Sequence, residues 1–158
     1  MNGSLETVGD RAALRFERRL DHPVERVWRA ITEPDELLQW YPGVPEWDLE
    51  LGERFGSEGG AEAKGRITEL DPPHLLAYDW DGEQFRFELR PDGDGCILVF
   101  THVFADRAPG AQHAAGWEIY LCRLEVHLGG GFLSEGEAHG AAPELQERYA
   151  ERFGLARE

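Results

Sequence analysis

The sequence predicts a single α+β domain in which a curved antiparallel sheet of seven strands wraps around one long helix. Two observations lead to this fold class. Apolar and polar residues alternate with a period of two through most of residues 47–104, and turns rich in Gly, Pro and Asp interrupt the alternation at short intervals. Residues 110–129 then change to the spacing of an amphipathic helix long enough to cover one sheet face.

The first strand is predicted over residues 12–20, where Leu14, Phe16 and Arg18 share one face. A helix begins at Pro23, because proline suits the first helical turn. Its apolar stripe consists of Val24, Val27, Trp28 and Ile31. A second helix start follows at 32–34, so we expect two short helices near residues 23–41, between the first two strands.

Six further strands are predicted, and the short turns between them indicate an antiparallel meander. They cover residues 47–50, 54–58, 62–70, 74–80, 84–90 and 96–104. The long helix follows, and three consecutive glycines end it after residue 128. One face of this helix carries His113, Trp117, Leu121, Leu124 and Leu128.

Two terminal segments flank the domain, which we place at residues 12–129. Residues 1–11 are polar, and we expect a flexible N-terminus there. Residues 130–158 form a C-terminal extension with a short amphipathic helix at 143–154. We expect its apolar stripe to pack either on the domain or on a second subunit, which would make a homodimer. The stripe consists of Leu145, Tyr149 and Phe153.

The chain is strongly acidic, with 31 Asp and Glu against 16 Lys and Arg and a formal charge of −15. This charge and the lack of a basic run argue against nucleic acid and membrane surfaces as partners. No apolar run is long enough to span a membrane, and the N-terminus lacks the apolar stretch of a signal peptide. Cys96 and Cys122 are isolated from each other. We therefore expect a cytoplasmic protein with reduced cysteines.

Four stretches resemble the START-like (Bet v 1-like) superfamily of polyketide cyclases and lipid-transport proteins. They are PVERVWRAITEPDELLQWYPG (23–43), GRITELDPPHLLAYDW (65–80), FELRPDGDGCILVFTH (87–102) and GWEIYLCRLEVHL (116–128). Within the superfamily, residues 12–129 are similar to the activator-of-heat-shock-protein-90-ATPase-like domains of bacteria. The resemblance implies a helix-grip fold with a cavity between sheet and long helix. It also implies binding of lipids, hormones or polyketides, or catalysis of cyclisation or hydration.

The last strand offers the clearest candidate for a polar group in such a cavity. Leu98, Phe100, His102 and Phe104 alternate along one face, so His102 would lie among apolar neighbours. Apolar walls with few polar groups are typical of small-molecule sites. The alternative is a core histidine that is bonded to a neighbouring side chain.

The candidate ligand-binding residues lie on the facing surfaces of the sheet and the long helix. They are Tyr78, Trp80, Phe85, Phe87, Phe100, His102, Trp117 and Leu121. Aromatic residues of this kind can also be plain core.

Signatures of metal sites, cofactors and catalytic nucleophiles are missing. His113 and His127 lie on one predicted helix but roughly 21 Å apart, too far to share an ion. The sequence has no H-E-x-x-H, no G-x-S-x-G and no phosphate-binding loop. We therefore expect no metal and no cofactor. The carboxylates that we place within reach of a cavity mouth are Glu46, Asp48, Asp79 and Glu118.

Three functions follow from these patterns. The first, which we favour, is binding of a small hydrophobic or aromatic ligand in an internal cavity without catalysis. The second is a cavity enzyme of the cyclase or hydratase type that uses His102 as acid and base. The third is a co-chaperone-like interaction module. This last function needs an exposed apolar patch on the outer sheet face or on the C-terminal tail, and charged residues make the outer face polar. These are Arg15, Glu17, Arg86 and Glu88.

Overall fold

The structure is a computed structural model that describes residues 3–41, 45–57 and 64–155. The strands in these ranges are β1 (Ser4–Val8), β2 (Arg11–Leu20), β3 (Pro45–Glu46), β4 (Arg54–Ser57), β5 (Gly65–Asp71), β6 (Leu75–Trp80), β7 (Glu83–Asp92) and β8 (Gly95–Phe104). The helices are α1 (Val24–Thr32), α2 (Pro34–Leu37), α3 (Gly110–Leu128), α4 (Glu135–Ala138) and α5 (Ala142–Phe153), with a 3-10 turn at His139–Ala141.

The strands form one antiparallel sheet in the order β1-β2-β8-β7-β6-β5-β4-β3. Seven of them make the main ladder, and the two-residue β3 extends it by pairing with β4. The long helix α3 lies against the inner face of the sheet, and α1 and α2 follow β2. The predicted α+β helix-grip fold is confirmed, although the described strands differ from the predicted ones at two places. Residues 58 and 62–63 of two predicted strands lie outside the described residues.

The first difference is β1, which lies in the N-terminal segment where the sequence analysis expected a flexible chain. Its register runs from Ser4 opposite Arg15 to Val8 opposite Arg11. The connecting turn uses Gly9, whose φ of 63° is in the left-handed region that glycine tolerates. Leu5 packs against the core, whereas Val8 is exposed and the other three β1 residues are polar. The strand therefore gave only a weak signal in the sequence.

The second difference lies at residues 47–50, where the predicted strand is wrong. These residues follow β3 as an irregular segment, because Leu49 adopts a φ of 63° that extended chain does not allow. The carboxylate of Glu53 accepts hydrogen bonds from the backbone N–H groups of Asp48 at 2.7 Å and Glu50 at 3.0 Å. A carboxylate that caps neighbouring amides favours a turn over a strand.

The core lies between the inner sheet face and α3, as the alternation in β8 predicts. Phe16, Phe87 and Phe100 are buried on the sheet, and Leu121 and Leu124 cover them from α3. The C-terminal helix α5 packs on α3 and buries Tyr149, Ala150 and Phe153, while Leu145 is half-buried. Among the described residues, no helix combines the length and the apolar character needed to cross a membrane.

Candidate ligand-binding site

Strand register places most of the candidate residues in two neighbouring rows on the inner sheet face. In the first row, Tyr78 of β6 lies opposite Phe85 of β7, and Phe85 lies opposite His102 of β8. In the second row, Phe87 lies opposite Phe100. Side chains directly opposite each other on one face are close enough to pack. The period-two alternation of three strands therefore assembles an aromatic surface.

The helix α3 completes this surface with Trp117. The ring centroid of Trp117 lies 4.3 Å from that of Phe100 and 5.9 Å from that of Phe85. The centroid of Phe85 lies 4.4 Å from that of His102 and 5.4 Å from that of Tyr78. These separations are typical of favourable ring contacts. The ring centroid of Trp80 lies 5.6 Å from that of Phe55, which contacts Tyr78 in turn. Leu121 belongs to the core beside the rings.

Three further rings that the sequence analysis did not select belong to the same cluster. Tyr41 lies 5.9 Å from Trp117, and Trp47 lies 5.7 Å from Tyr78 and 4.9 Å from Phe55. Tyr41 follows α2, Trp47 follows β3, and Phe55 is on β4. We call the ten rings together the aromatic cluster: Tyr41, Trp47, Phe55, Tyr78, Trp80, Phe85, Phe87, Phe100, His102 and Trp117.

The hydroxyls of Tyr41 and Tyr78 form a hydrogen bond to each other inside the aromatic cluster. Burial raises the pKa of Tyr41 to about 12, and burial together with Tyr41 raises the pKa of Tyr78 well above its ordinary value. Both phenols are therefore neutral donors at physiological pH. Only one of the two protons lies between the oxygens, and the pair makes no other hydrogen bond within the described residues. One O–H group thus remains available to an acceptor.

A second polar group is a chain of three side chains from α3, β8 and β7. The indole N–H of Trp117 donates to Nδ1 of His102 at 3.2 Å, and Nε2 of His102 lies 2.6 Å from Oε1 of Glu83. Because Nδ1 is an acceptor, the neutral imidazole carries its proton on Nε2 and donates it to Glu83. Burial lowers the pKa of His102 to about 4, with His113 adding to the effect and Glu83 opposing it.

Glu83 was missed by the sequence analysis, although the alternation of β7 contained the signal. It has the same parity as Phe85 and Phe87 and therefore faces inward at the start of the strand. The ring of His113 was also missed as a neighbour, and it lies 4.9 Å from His102. Among the described side chains, no group of three His, Cys, Asp or Glu residues is arranged to hold a metal ion.

The carboxylates proposed from sequence lie elsewhere. Asp48 is exposed beside Glu53, and Asp79 is on the outer face, opposite Arg66. Glu118 pairs with Arg18 and accepts a hydrogen bond of 2.6 Å from Tyr149, beneath α5. The side chain of Glu46 is outside the described part of the structure. The carboxylate that does meet the aromatic cluster is Glu83.

The profile of the family described as Activator of Hsp90 ATPase homolog 1-like protein matches residues 21–129. A search of curated proteins gives no match. Among solved structures, EF2215 from Enterococcus faecalis, a conserved protein of unknown function, has a TM-score of 0.79 at 22% identity and covers 98% of this chain and 92% of its own.

Two other structures have related names. CalU16 from Micromonospora echinospora has a TM-score of 0.73 at 23% identity, with 96% of this chain and 93% of its own covered. DynU16, a protein in the dynemicin biosynthetic locus, has a TM-score of 0.64 at 22% identity, with 80% and 48% covered. At these identities the structures show a shared fold. The profile match extends over more than half of the sequence, and the chain therefore belongs to the Activator of Hsp90 ATPase homolog 1-like family, with a START-like fold.

Proposed function

We propose that the protein binds a small hydrophobic or aromatic molecule against the aromatic cluster, between the sheet and α3, and that it acts as a binding protein. One observation carries the proposal: a concentration of rings from several elements surrounds a pair of phenols, one of whose O–H groups finds no acceptor among the described residues. Apolar walls with a few fixed polar groups are the usual construction of a small-molecule site.

The rings of the aromatic cluster differ in burial, and this difference indicates which side of the cluster a ligand would contact. Phe87, Phe100 and Tyr78 are buried, so they form the floor. Trp47, Trp80, Phe85 and Tyr41 are only half-buried and lie towards one end of the sheet. Apolar ring surface that remains partly open to water gains free energy when a ligand covers it, at roughly 25 cal/mol per Å².

The hydroxyl pair supports a more specific ligand chemistry. The hydroxyl proton of Tyr41 or Tyr78 that does not lie between the two oxygens would donate to a carbonyl, ether or hydroxyl oxygen on an otherwise apolar molecule. A neutral acceptor fits better than a carboxylate here, since the surroundings are apolar and a buried anion without a cation is costly. CalU16 and DynU16 show the same fold, and the locus named for DynU16 is biosynthetic. Aromatic ketones and hydroxyarenes are therefore the ligands we favour.

Geometry does not favour His102 as an acid or base. Both ring nitrogens already have partners, and a pKa of about 4 keeps the imidazole neutral. The co-chaperone-like alternative also lacks support on the outer sheet face, where Arg86 pairs with Glu69 and Glu88. A cytoplasmic location and a homodimer stay predictions.

The first experiment uses the neutral dye N-phenyl-1-naphthylamine, which brightens in apolar surroundings. The folded protein should bind it at a single saturable site and lose tryptophan emission through energy transfer. Phe85→Ala should weaken binding about fivefold, because one ring contact is worth about 1 kcal/mol. Arg86→Ala is the matched control, since it is the next residue of β7 and faces the other way. A wild-type protein that binds no dye would identify the aromatic cluster as a closed core.

A matched pair of probes tests the hydroxyl donor. The ketone 2-acetylnaphthalene and the hydrocarbon 2-ethylnaphthalene have nearly the same shape, but only the ketone accepts a hydrogen bond. Wild type should prefer the ketone by roughly fivefold, the value of one hydrogen bond of about 1 kcal/mol. Tyr78→Phe and Tyr41→Phe should remove the preference and retain hydrocarbon binding. An unchanged preference in both variants would contradict the assigned donor.

A further inference from the structure

A cleft of about 270 Å³ lies on the outer face of the sheet, where β4, β5 and β6 meet the turn before β7. Its walls include Arg54, Lys64, Arg66, Asp79 and Gln84. These residues face away from the aromatic cluster, because Phe55 and Tyr78 of the same strands face inward. The cleft is therefore separate from the proposed ligand site.

Within residues 3–41, 45–57 and 64–155, the cations of this cleft differ from most arginines in having no ion-pair partner. In the described part of the structure, the side chains of Arg54, Lys64 and Arg66 make no ion pair and no hydrogen bond. Ion pairs engage arginines on the rest of the surface, among them Arg15, Arg19, Arg26, Arg86, Arg90 and Arg148. Three cations that find no partner among the described residues are unusual in one place on a chain with a net charge of −15.

Strand register makes the concentration of charge costly. Arg54 lies directly opposite Arg66 on the neighbouring strand, and like charges in this position destabilise a sheet. A carboxylate is present at Asp79, opposite Arg66 on the other side, but it makes no ion pair with that arginine. At the rim of the cleft, Arg11 donates to the carbonyl of Gly82 at 3.0 Å and adds a fourth cation. An anion between the guanidinium groups would offset this repulsion.

We infer that this cleft binds a small phosphate monoester. Two guanidinium groups present planar donor forks that match the oxygens of a phosphate, and the lysine adds a point charge. Among the described lining residues, the three cations together with Asp79 leave a net charge of +2. That charge balances the near-dianion that a phosphate monoester carries at neutral pH.

A moderate salt concentration distinguishes the attraction of the anion to the cleft from its repulsion by the distant carboxylates of the chain. At about 0.15 M salt the Debye length is about 8 Å, so distant carboxylates are screened while groups in contact with the anion still act. Measurements therefore belong at this ionic strength, with sodium chloride as the control for general salt effects.

Inorganic phosphate at pH 8 is the first probe, and its binding is monitored by NMR of backbone amides and arginine Nε–H groups. Saturable shifts should be confined to the cleft, with a Kd of about 1–10 mM. Lys64 is the only lysine of the chain, so its protection from acylation gives a second measurement at one known position. The inference is wrong if phosphate produces no saturable shift in the cleft and does not protect Lys64.

Variants assign the binding to the two arginines. Arg66→Gln and Arg54→Gln should each weaken phosphate binding about tenfold, the equivalent of 1.4 kcal/mol. In chloride alone, both variants should melt no lower than wild type, because they relieve a like-charge pair. The matched control is Arg29→Gln on α1, since Arg29 is exposed and also makes no ion pair in the described structure. If Arg29→Gln weakens phosphate binding equally, the effect comes from the overall charge of the chain, and the assignment of the cleft as the phosphate site is wrong.

Glycerol 3-phosphate and vesicles with phosphatidic acid distinguish the two sources of a phosphate monoester. The soluble ester should compete with inorganic phosphate, and the vesicles should not retain the protein, because the net charge of −15 opposes approach to an anionic surface. Retention by vesicles without binding of the soluble ester would contradict a small-molecule site. Neither result depends on the aromatic cluster, so the two proposals can fail independently.

Discussion

The indole N–H of Trp117 donates a 3.2 Å hydrogen bond to Nδ1 of His102, and this contact ties the middle of α3 to β8. Protonation of Nδ1 would turn an N–H group towards another N–H group and break the bond. Helix packing in this domain is therefore linked to the protonation of one buried imidazole, which Glu83 connects to the surface.

A pH dependence of stability follows from this link. The pKa of His102 falls from 6.5 to about 4 on folding, so the unfolded chain binds a proton in a range where the folded protein does not. The stabilisation is complete above pH 6.5 and is lost as the pH falls towards 4. It amounts to about 3 kcal/mol.

Carboxylates also titrate in this range, so the measurement needs a variant that lacks the imidazole. Urea unfolding of wild type and His102→Asn between pH 4 and 7.5 should give two curves whose difference shrinks towards low pH. His113 and Glu83, which face His102, are present in both proteins. An NMR titration that places the pKa of His102 near 6.5 would contradict the buried, doubly bonded imidazole.

Docking of α5 depends on the hydroxyl of Tyr149. This hydroxyl donates to Glu118 at 2.6 Å and accepts from the backbone N–H of Gly3 at 3.2 Å, while the ring packs against Phe16 and Phe153. Tyr149→Phe keeps the ring but removes both bonds, so the free energy of unfolding should fall by about 1–3 kcal/mol. Thermal or urea unfolding measures the change.

Tyr120→Phe is the control for this prediction. The hydroxyl of Tyr120 donates to Glu135 at 3.3 Å in an exposed position, where a lost bond costs little because water replaces it. A change below about 0.5 kcal/mol is expected. If both variants lose the same stability, the buried position of the Tyr149 hydroxyl has no special value.

Strand alternation explains why the sequence could predict which aromatic residues of the sheet share its inner face. Phe85, Phe87 and His102 face inward because side chains of a paired strand alternate, and this rule needs no knowledge of distant residues. Tyr41 and Trp47 reach the same place from an irregular segment, where no periodicity indicates direction. Glu83 fits the alternation of β7 and lies on the inner face. A carboxylate is not expected on an apolar face, however, unless its partner, here His102, is known.

The same reasoning explains the errors at β1 and residues 47–50. The strand β1, with only Leu5 and Val8 as apolar residues, forms because β2 offers a free edge, and the edge is a property of the assembled sheet. The segment 47–50 alternates correctly but bends at Leu49, where Glu53 caps the backbone from five residues beyond Asp48. Local patterns cannot show which backbone groups a side chain will satisfy.

Arg123 is a buried cation that should prove costly to replace. Only 5% of its surface is exposed, and its guanidinium donates to the carbonyls of Leu133 at 2.8 Å, Trp40 at 3.2 Å and Gln39 at 3.3 Å. Arg123→Met leaves these carbonyls without their donor, and we expect a loss of about 3 kcal/mol. Arg123→Lys keeps the charge but cannot reach all three, so it should recover only a part.

Arg148→Met is the comparison for this substitution. Arg148 pairs with Glu144 on the exposed side of α5, and such pairs contribute about 0.5 kcal/mol or less. Chemical unfolding of the three variants at one pH separates the buried donor from the surface charge. A loss at Arg123→Met no larger than that at Arg148→Met would contradict its assigned part in joining α3 to the segment after α2.

Two glycines give a prediction of opposite sign for the same added methyl group. At Gly95, the first residue of β8, a Cβ atom would lie 2.2 Å from the backbone oxygen of Leu20. Leu20 is held there by the β2–β8 ladder, in which it pairs with Cys96, so the strands themselves would have to separate. Gly95→Ala should lower the free energy of unfolding by about 2 kcal/mol or more.

At Gly116, inside α3, a Cβ atom would meet nothing within 4 Å. Gly116→Ala should raise stability by about 0.5–1 kcal/mol, because alanine loses less backbone entropy in a helix. Urea unfolding of both variants gives the comparison directly, since each serves as the control for the other. A destabilised Gly116→Ala protein would mean that another group lies against this part of α3 in solution. A Gly95→Ala protein as stable as wild type would contradict the close approach of β2 and β8 at that end of the sheet.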